Sequence, residues 1–203
     1  MTDTEPLMFP DSQTLRIYDP LGAVLGAGDG VYTYRFDDAV RLAGHACPTV
    51  AGAFLMARRA VDLLYRDALP QRGDLRVTLH GRPDEGVNGP ISQVLTLLTG
   101  AAAENGFHGL GGQHVRKGLM AFAGAGAAFA TGVTFERIAT GTRVTLRYDP
   151  AAIAPAPTLG ADLQAVLSGT AEDAVRQRFR AAWRGRVERI LADGGAQTVR
   201  QVE

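Results

Sequence analysis

Gly44-His45-Ala46-Cys47-Pro48 opens an apolar run, Val50, Ala51, Phe54, Leu55, Ala57, Val61, Leu64 and Tyr65, whose spacing is helical. Arg58, Arg59 and Asp62 fall between the apolar positions. Pro48 suits the first position of that helix, where a missing N–H costs no intrahelical bond. His45 and Cys47 therefore sit in a tight turn at the positive end of a helix, the end that favours negative charge on a capping group. A thiolate in such a turn binds metal or attacks an electrophile. Cys47 is the only cysteine. A lone cysteine is also a common small buried hydrophobe, so the pair, and not the thiol alone, marks the turn as a candidate site.

Working outward, the chain alternates strand-like and helix-like segments. Leu15, Ile17 and Tyr18 suit an edge strand, and Val31 to Phe36 a short strand. Asp37 or Asp38 is placed to cap a short helix that ends at Gly44. Leu75 to His80 alternates as a strand, and a polar loop from Gly81 to Gly89 follows. Pro90 is the expected start of a second helix bearing Ile91, Gln93, Val94, Leu95 and Leu98, closed by Thr99-Gly100. Ala101 to Lys117 is a long glycine-rich loop, a kind of segment that is usually functional or mobile.

Leu119 to Phe122 reads as a short strand. Phe129 to Ile138 and Thr142 to Tyr148 read as a hairpin about Ala139-Thr140-Gly141. Asp149 to Gly160 reads as a Pro/Ala linker. Thr170 is the expected cap of a last helix running to about Ala192 and stopped by Gly194-Gly195. That order gives an α+β fold, a small mixed or antiparallel sheet covered by long helices. The expected organisation is a core over residues 1–160 with an extended lead-in, and a helical segment over 161–203 packed on the same domain.

Composition narrows the function. The 21 basic and 21 acidic residues cancel, so nothing global points to nucleic acid or a membrane surface. The Arg-rich last helix carries four acids along the same stretch and reads as a solvated face. One cysteine excludes an intrachain disulfide and a self-contained four-cysteine zinc module. Met1 to Pro10 lacks a basic and apolar leader pattern, and no apolar run reaches transmembrane length, so the cytoplasm is the expected location.

The chain holds four histidines. His80 ends a strand leading to the second helix, and His108 and His114 lie in the glycine loop. If both helices pack on the sheet in one orientation, three or four N/S donors converge, a set that suits zinc, or alternatively iron, nickel or copper. Each of these histidines taken singly reads equally well as an ordinary loop residue.

The first motif and the helix after it resemble the opening block of the FmdE-like family, named for a component of formylmethanofuran dehydrogenase. Leu75 to His80, Pro90-Ile91-Ser92-Gln93, Thr99-Gly100 and Lys117-Gly118 through Phe122 are similar to its later blocks. The last helix is similar to the family's helical ending. The resemblance spans roughly residues 35 to 192. It implies an α+β fold of that kind, a homodimer, and a mononuclear metal site carried here by His45 and Cys47.

Val87 stands where the family has a further cysteine and Pro90 where it has an aspartate, and the family's zinc ribbon is missing. The vacant ligand role would fall to His80 first, then His114, then His108, since a strand end is the more rigid support. Asp84 or Glu85 beyond His80 could serve as a base for metal-bound water, although solvated loop acids are the plainer reading. The homodimer expectation rests also on the apolar, glycine-rich segment Leu119 to Gly132.

Two other functions compete with metal binding. One is a metal-free thiol enzyme with Cys47 as nucleophile and His45 or His114 as base. The other is a small-molecule or anion-binding module using the glycine loop, although Gly109-Leu110-Gly111-Gly112 matches neither a P-loop nor a dinucleotide fingerprint.

Overall fold

The computed structural model describes residues 8–9, 13–66, 68–124 and 132–202. In chain order these form β1 (Thr14–Tyr18), α1 (Pro20–Val24), β2 (Val31–Arg35), α2 (Phe36–Ala43), α3 (Pro48–Tyr65), β3 (Leu75–Leu79), α4 (Asn88–Thr99), β4 (Met120–Phe122), β5 (Gly132–Arg137) and β6 (Arg143–Tyr148). A 3₁₀ turn (Pro150–Ala152), α5 (Leu159–Leu167), α6 (Asp173–Asp193) and β7 (Val199–Val202) complete them.

The fold is α+β, with a five-stranded sheet in the order β4-β3-β5-β6-β7. That sheet is mixed, since β4 runs parallel to β3 while the other neighbours are antiparallel. β1 and β2 form a separate antiparallel pair. Among the described residues no helix is long and apolar enough to cross a membrane.

α3 is the centre of the core. It is apolar nearly all round, and Val50 to Ala57, Ala60, Val61, Leu64 and Tyr65 are buried. Its alanines and Gly52 let neighbours come close, and the Tyr148 ring of β6 occupies the space a Cβ at Gly52 would need. The strands alternate as a half-buried sheet requires. Leu75, Val77 and Leu79 of β3 are buried while Arg76 is exposed. α4 divides its faces likewise, with Ile91, Val94, Leu95 and Leu98 in the core.

The caps follow the expected chemistry in part. Gly44 and Gly100 end α2 and α4 in left-handed conformations, at φ of 74° and 75°, and Pro48 is the first residue of α3 behind the cap Cys47. At α2, Asp38 accepts from the Arg35 N–H at 2.7 Å. The Asp37 carboxylate turns instead to the Met8 and Phe9 N–H groups and fastens them to the core.

Four features differ from expectation. α1 forms between the two expected strands, where no helix is expected, because the Asp19 carboxylate accepts from the Leu21 and Gly22 N–H groups about Pro20. α4 begins at Asn88, where the buried side-chain amide donates to the Arg82 carbonyl at 2.9 Å and closes the turn after β3. α6 is capped at Glu172, and the Thr170 hydroxyl bonds Ser168 and the Ala165 carbonyl instead. α5 and β7 are additional elements, and β7 adds an edge strand beside β6. Phe129 to Thr131 of the expected hairpin, and much of Leu119 to Gly132, lie outside the described residues.

The arginines of α6 are not simply a solvated face. Arg186 donates to the Pro150 and Ile153 carbonyls and Arg189 to that of Ala154. Arg178 pairs with the buried Asp162 of α5 at 2.5 Å. The Arg186 and Arg189 bonds satisfy carbonyls in a proline-rich segment with few backbone partners of its own.

Candidate functional site

The structure does not gather the five sequence candidates. His45 is exposed and Cys47 half-buried in the turn before α3. The Cys47 sulfur accepts from the Val50 N–H at 3.5 Å as the helix cap. Two side chains from elsewhere clamp this turn: Trp183 of α6 donates to the Ala46 carbonyl, and Tyr148 of β6 to the Pro48 carbonyl, each at 2.8 Å.

His80 follows the buried Leu79 and so falls on the opposite face of the sheet from the helices, where its Nε2 lies 2.9 Å from the Thr134 hydroxyl. His108 is exposed, and His114 takes a left-handed φ of 57°, both in the loop after α4. Among the described residues, no three His, Cys, Asp or Glu side chains form a group that could hold a metal ion. Asp84 pairs with Arg82, and Glu85 accepts from the Arg82 N–H, as loop acids do.

A cavity of about 860 Å³ lies on the outer side of α4. Ser92, Gln93, Thr96, Leu97 and Gly100 line it, positions that share one face of the helix because they recur at helical spacing. The other walls come from Asp19 and Leu21 of the N-terminal segment, Arg72, the loop residues Asn105, Phe107 and Arg116, and Met120 and Phe122 of β4. The glycine-rich loop is thus a wall, and its folding is explicit. Gly118, Leu119 and Met120 donate back to the Ala102 and Ala103 carbonyls, and Arg116 and Lys117 donate to that of Phe107. At about 860 Å³ the space is within the range of small-molecule sites. A smaller pocket of about 100 Å³, lined by His45, shares Leu42 and Gln93 with it, so the Cys47 turn and the cavity are neighbours.

The charges in the cavity wall are Asp19, Arg72 and Arg116. Asp19 Oδ1 accepts from Arg116 Nη2 at 2.7 Å and Oδ2 from Arg72 Nη1 at 2.9 Å. Arg72 also donates to the Thr96 and Leu97 carbonyls at the end of α4. The Asp19 and Arg116 side chains keep only 6% and 8% of their exposure, a degree of burial that charges reach only when paired.

Burial alone would raise the Asp19 carboxyl. The Arg72 hydrogen bond and the charges of Arg116 and Arg72 outweigh that and hold it below its ordinary range. Burial lowers Arg116, against the pull of Asp19. Gly73 makes room for this arrangement: at φ +87° it approaches so closely that a Cβ would coincide with Arg116 Nη1.

None of the three charged residues is prominent in the sequence. Asp19-Pro20 is a helix-start signal, but Arg72 and Arg116 sit in separate loops, and nothing local distinguishes a buried arginine from a solvated one. Gln-Arg-Gly at 71–73, with a glycine beside the arginine, is the faint trace.

The chain matches no family model, no curated protein and no solved structure. The arrangement offers apolar walls, amide and hydroxyl groups and a guanidinium with uncommitted donors, the makings of a binding site for a polar-headed small molecule.

Proposed function

We propose that this protein binds a small molecule in the cavity between α4 and the glycine-rich loop. The supporting observation is the pairing of about 860 Å³ of part-apolar space with two arginines fixed on its wall by one buried carboxylate. Ligand-observed NMR with a set of small aromatic and aliphatic fragments tests the reading. Fragments that bind the wild type and lose binding in Thr96→Trp, which fills the cavity from α4, support it. Fragment binding equal in the two proteins defeats it.

A second reading keeps the His45–Cys47 turn as half of a metal site. It is favoured by one bond: His45 Nδ1 lies 3.0 Å from the Ala43 carbonyl. A carbonyl only accepts, so Nδ1 carries the hydrogen and a neutral ring offers Nε2 to a metal, the usual outer-shell arrangement of a ligating histidine. Two donors are fewer than zinc takes. In this reading the others come from a second copy of the chain, in a cytoplasmic homodimer similar to the FmdE-like family. Elemental analysis and light scattering test it. Zinc, or iron, nickel or copper, bound to a dimer and lost in Cys47→Ala would support it. Metal content unchanged in both His45→Ala and Cys47→Ala removes it.

A further inference from the structure

We propose that the cavity ligand is a monocarboxylate with an apolar body, and that Arg116 receives its carboxylate. The inference rests on the cavity reading above and adds the class of ligand.

The argument begins with charge. Two guanidinium groups face one carboxylate in the wall, and these are its ionisable groups among the described residues, so the site carries one excess positive charge. A buried charge without a counter-charge is strongly disfavoured, and a bound anion relieves that. The excess is one unit. A carboxylate matches it at neutral pH, whereas a phosphomonoester brings nearly two negative charges.

Hydrogen bonding then selects the residue. The Asp19 carboxylate is saturated by the Leu21 and Gly22 N–H groups and both arginines. Arg72 spends Nη1 on Asp19 and Nη2 on the carbonyls ending α4, and its one unpartnered nitrogen, Nε, is fully buried. Arg116 gives Nη2 to Asp19 alone, and its Nε and Nη1 make no hydrogen bond to the described residues. These two nitrogens lie on opposite edges of the guanidinium plane, so a ligand carboxylate takes a single charge-assisted N–H from one of them, alone or beside the second hydrogen of Nη2. Leu97, Met120 and Phe122 supply apolar surface for the rest of the molecule.

Isothermal titration with 4-phenylbutyrate, its neutral amide and 3-phenylpropyl phosphate tests the inference on the folded wild-type protein. The acid and amide have the same size and shape and differ in charge. The acid is expected to bind at least about tenfold more tightly than the amide, the effect of one charge-assisted hydrogen bond, and at least as tightly as the phosphate. Arg116→Gln is expected to abolish the difference between acid and amide, and Arg116→Lys, which keeps the charge but cannot hold Asp19 and offer a second planar N–H at once, to reduce it.

Equal binding of acid and amide by the wild type overturns the inference and leaves the cavity reading standing. Tighter binding of the phosphate overturns the choice of a monocarboxylate. Acid binding unchanged in Thr96→Trp places the ligand elsewhere and defeats the cavity reading itself, and absence of binding by all three compounds overturns both.

Discussion

Arg116 and Asp19 form a buried ion pair, Nη2 to Oδ1 at 2.7 Å, across 97 positions of sequence. It fastens the glycine-rich loop to the cap of α1. One partner cannot be removed without leaving the other desolvated, and breaking such a pair typically destabilises by about 3–5 kcal/mol. Arg72 remains on Asp19 and softens the loss. Arg116→Met is therefore expected to lower the free energy of unfolding by about 3 kcal/mol, the bottom of that range. Urea unfolding measures it. A change within the scatter of ordinary surface substitutions, about 0.5 kcal/mol, would mean that the loop is anchored by its backbone bonds alone.

The same carboxylate makes stability depend on acid. Asp19 is held below its ordinary value of 3.8 in the fold. A lowered carboxyl contributes stability that is complete above the unfolded value, and it is lost as pH falls through the folded one. Asp162, lowered by its hydrogen bond from Arg178, and Asp193, lowered by its bonds from Thr198 and Gln197 against the effect of burial, act in the same direction. Stability should thus be level above the ordinary carboxyl range and fall progressively below pH 3.8. Asp19→Asn keeps an acceptor for the cap of α1 and removes the charge. It should be less stable than the wild type at neutral pH and show a shallower acid loss. Urea midpoints between about pH 2 and pH 6 test this, and parallel curves for the two proteins would contradict it.

Gly73 separates backbone strain from side-chain crowding. Both Gly73 and Gly26 adopt left-handed φ, 87° and 77°, but a Cβ at Gly73 falls on Arg116 while Gly26 has open space. Gly26→Ala should lose only the backbone preference, about 1 kcal/mol. Gly73→Ala should lose that and displace Arg116, for a total of about 2–4 kcal/mol, and should also weaken carboxylate binding. Equal destabilisation by the two variants would mean that Arg116 relocates freely.

Much of the fold is legible from local chemistry. Gly44, Pro48 and Gly100 punctuate helices as their backbone preferences require, and the alternation of Leu75, Val77 and Leu79 marks β3 and its core face. α1, α5 and β7 are less legible because they are short and depend on neighbours. β7 is a strand because β6 presents an edge to pair with, not because Val-Arg-Gln-Val has a pattern of its own.

The site divides in the same way. His45 and Cys47 share a turn because only Ala46 separates them in sequence. Whether His80 could join them depended on which face of β3 it occupied, and the phase that buries Leu79 turns His80 away. The cavity was hidden because Asp19, Arg72 and Arg116 meet only through the long-range closure of two loops. In sequence, a charged residue reads as a surface residue.

Trp183 connects the last helix to the Cys47 turn and allows that turn to be loosened without touching the cavity. Its indole N–H donates to the Ala46 carbonyl at 2.8 Å, one residue before the cysteine, while the ring packs 5.6 Å from that of Phe179. Trp183→Phe keeps an aromatic ring in that place and removes the donor. The lost hydrogen bond should cost about 1 kcal/mol of stability. The Ala46 carbonyl would then lose its anchor on α6, and the turn would keep the Tyr148 bond on its other flank. Cys47, half-buried in the wild type, should become more accessible and react severalfold faster with iodoacetamide under native conditions. Binding of 4-phenylbutyrate should be unchanged, since neither Trp183 nor Cys47 lines the cavity. A stability loss with no change in alkylation rate would show that the Tyr148 bond and the helix cap hold the turn by themselves.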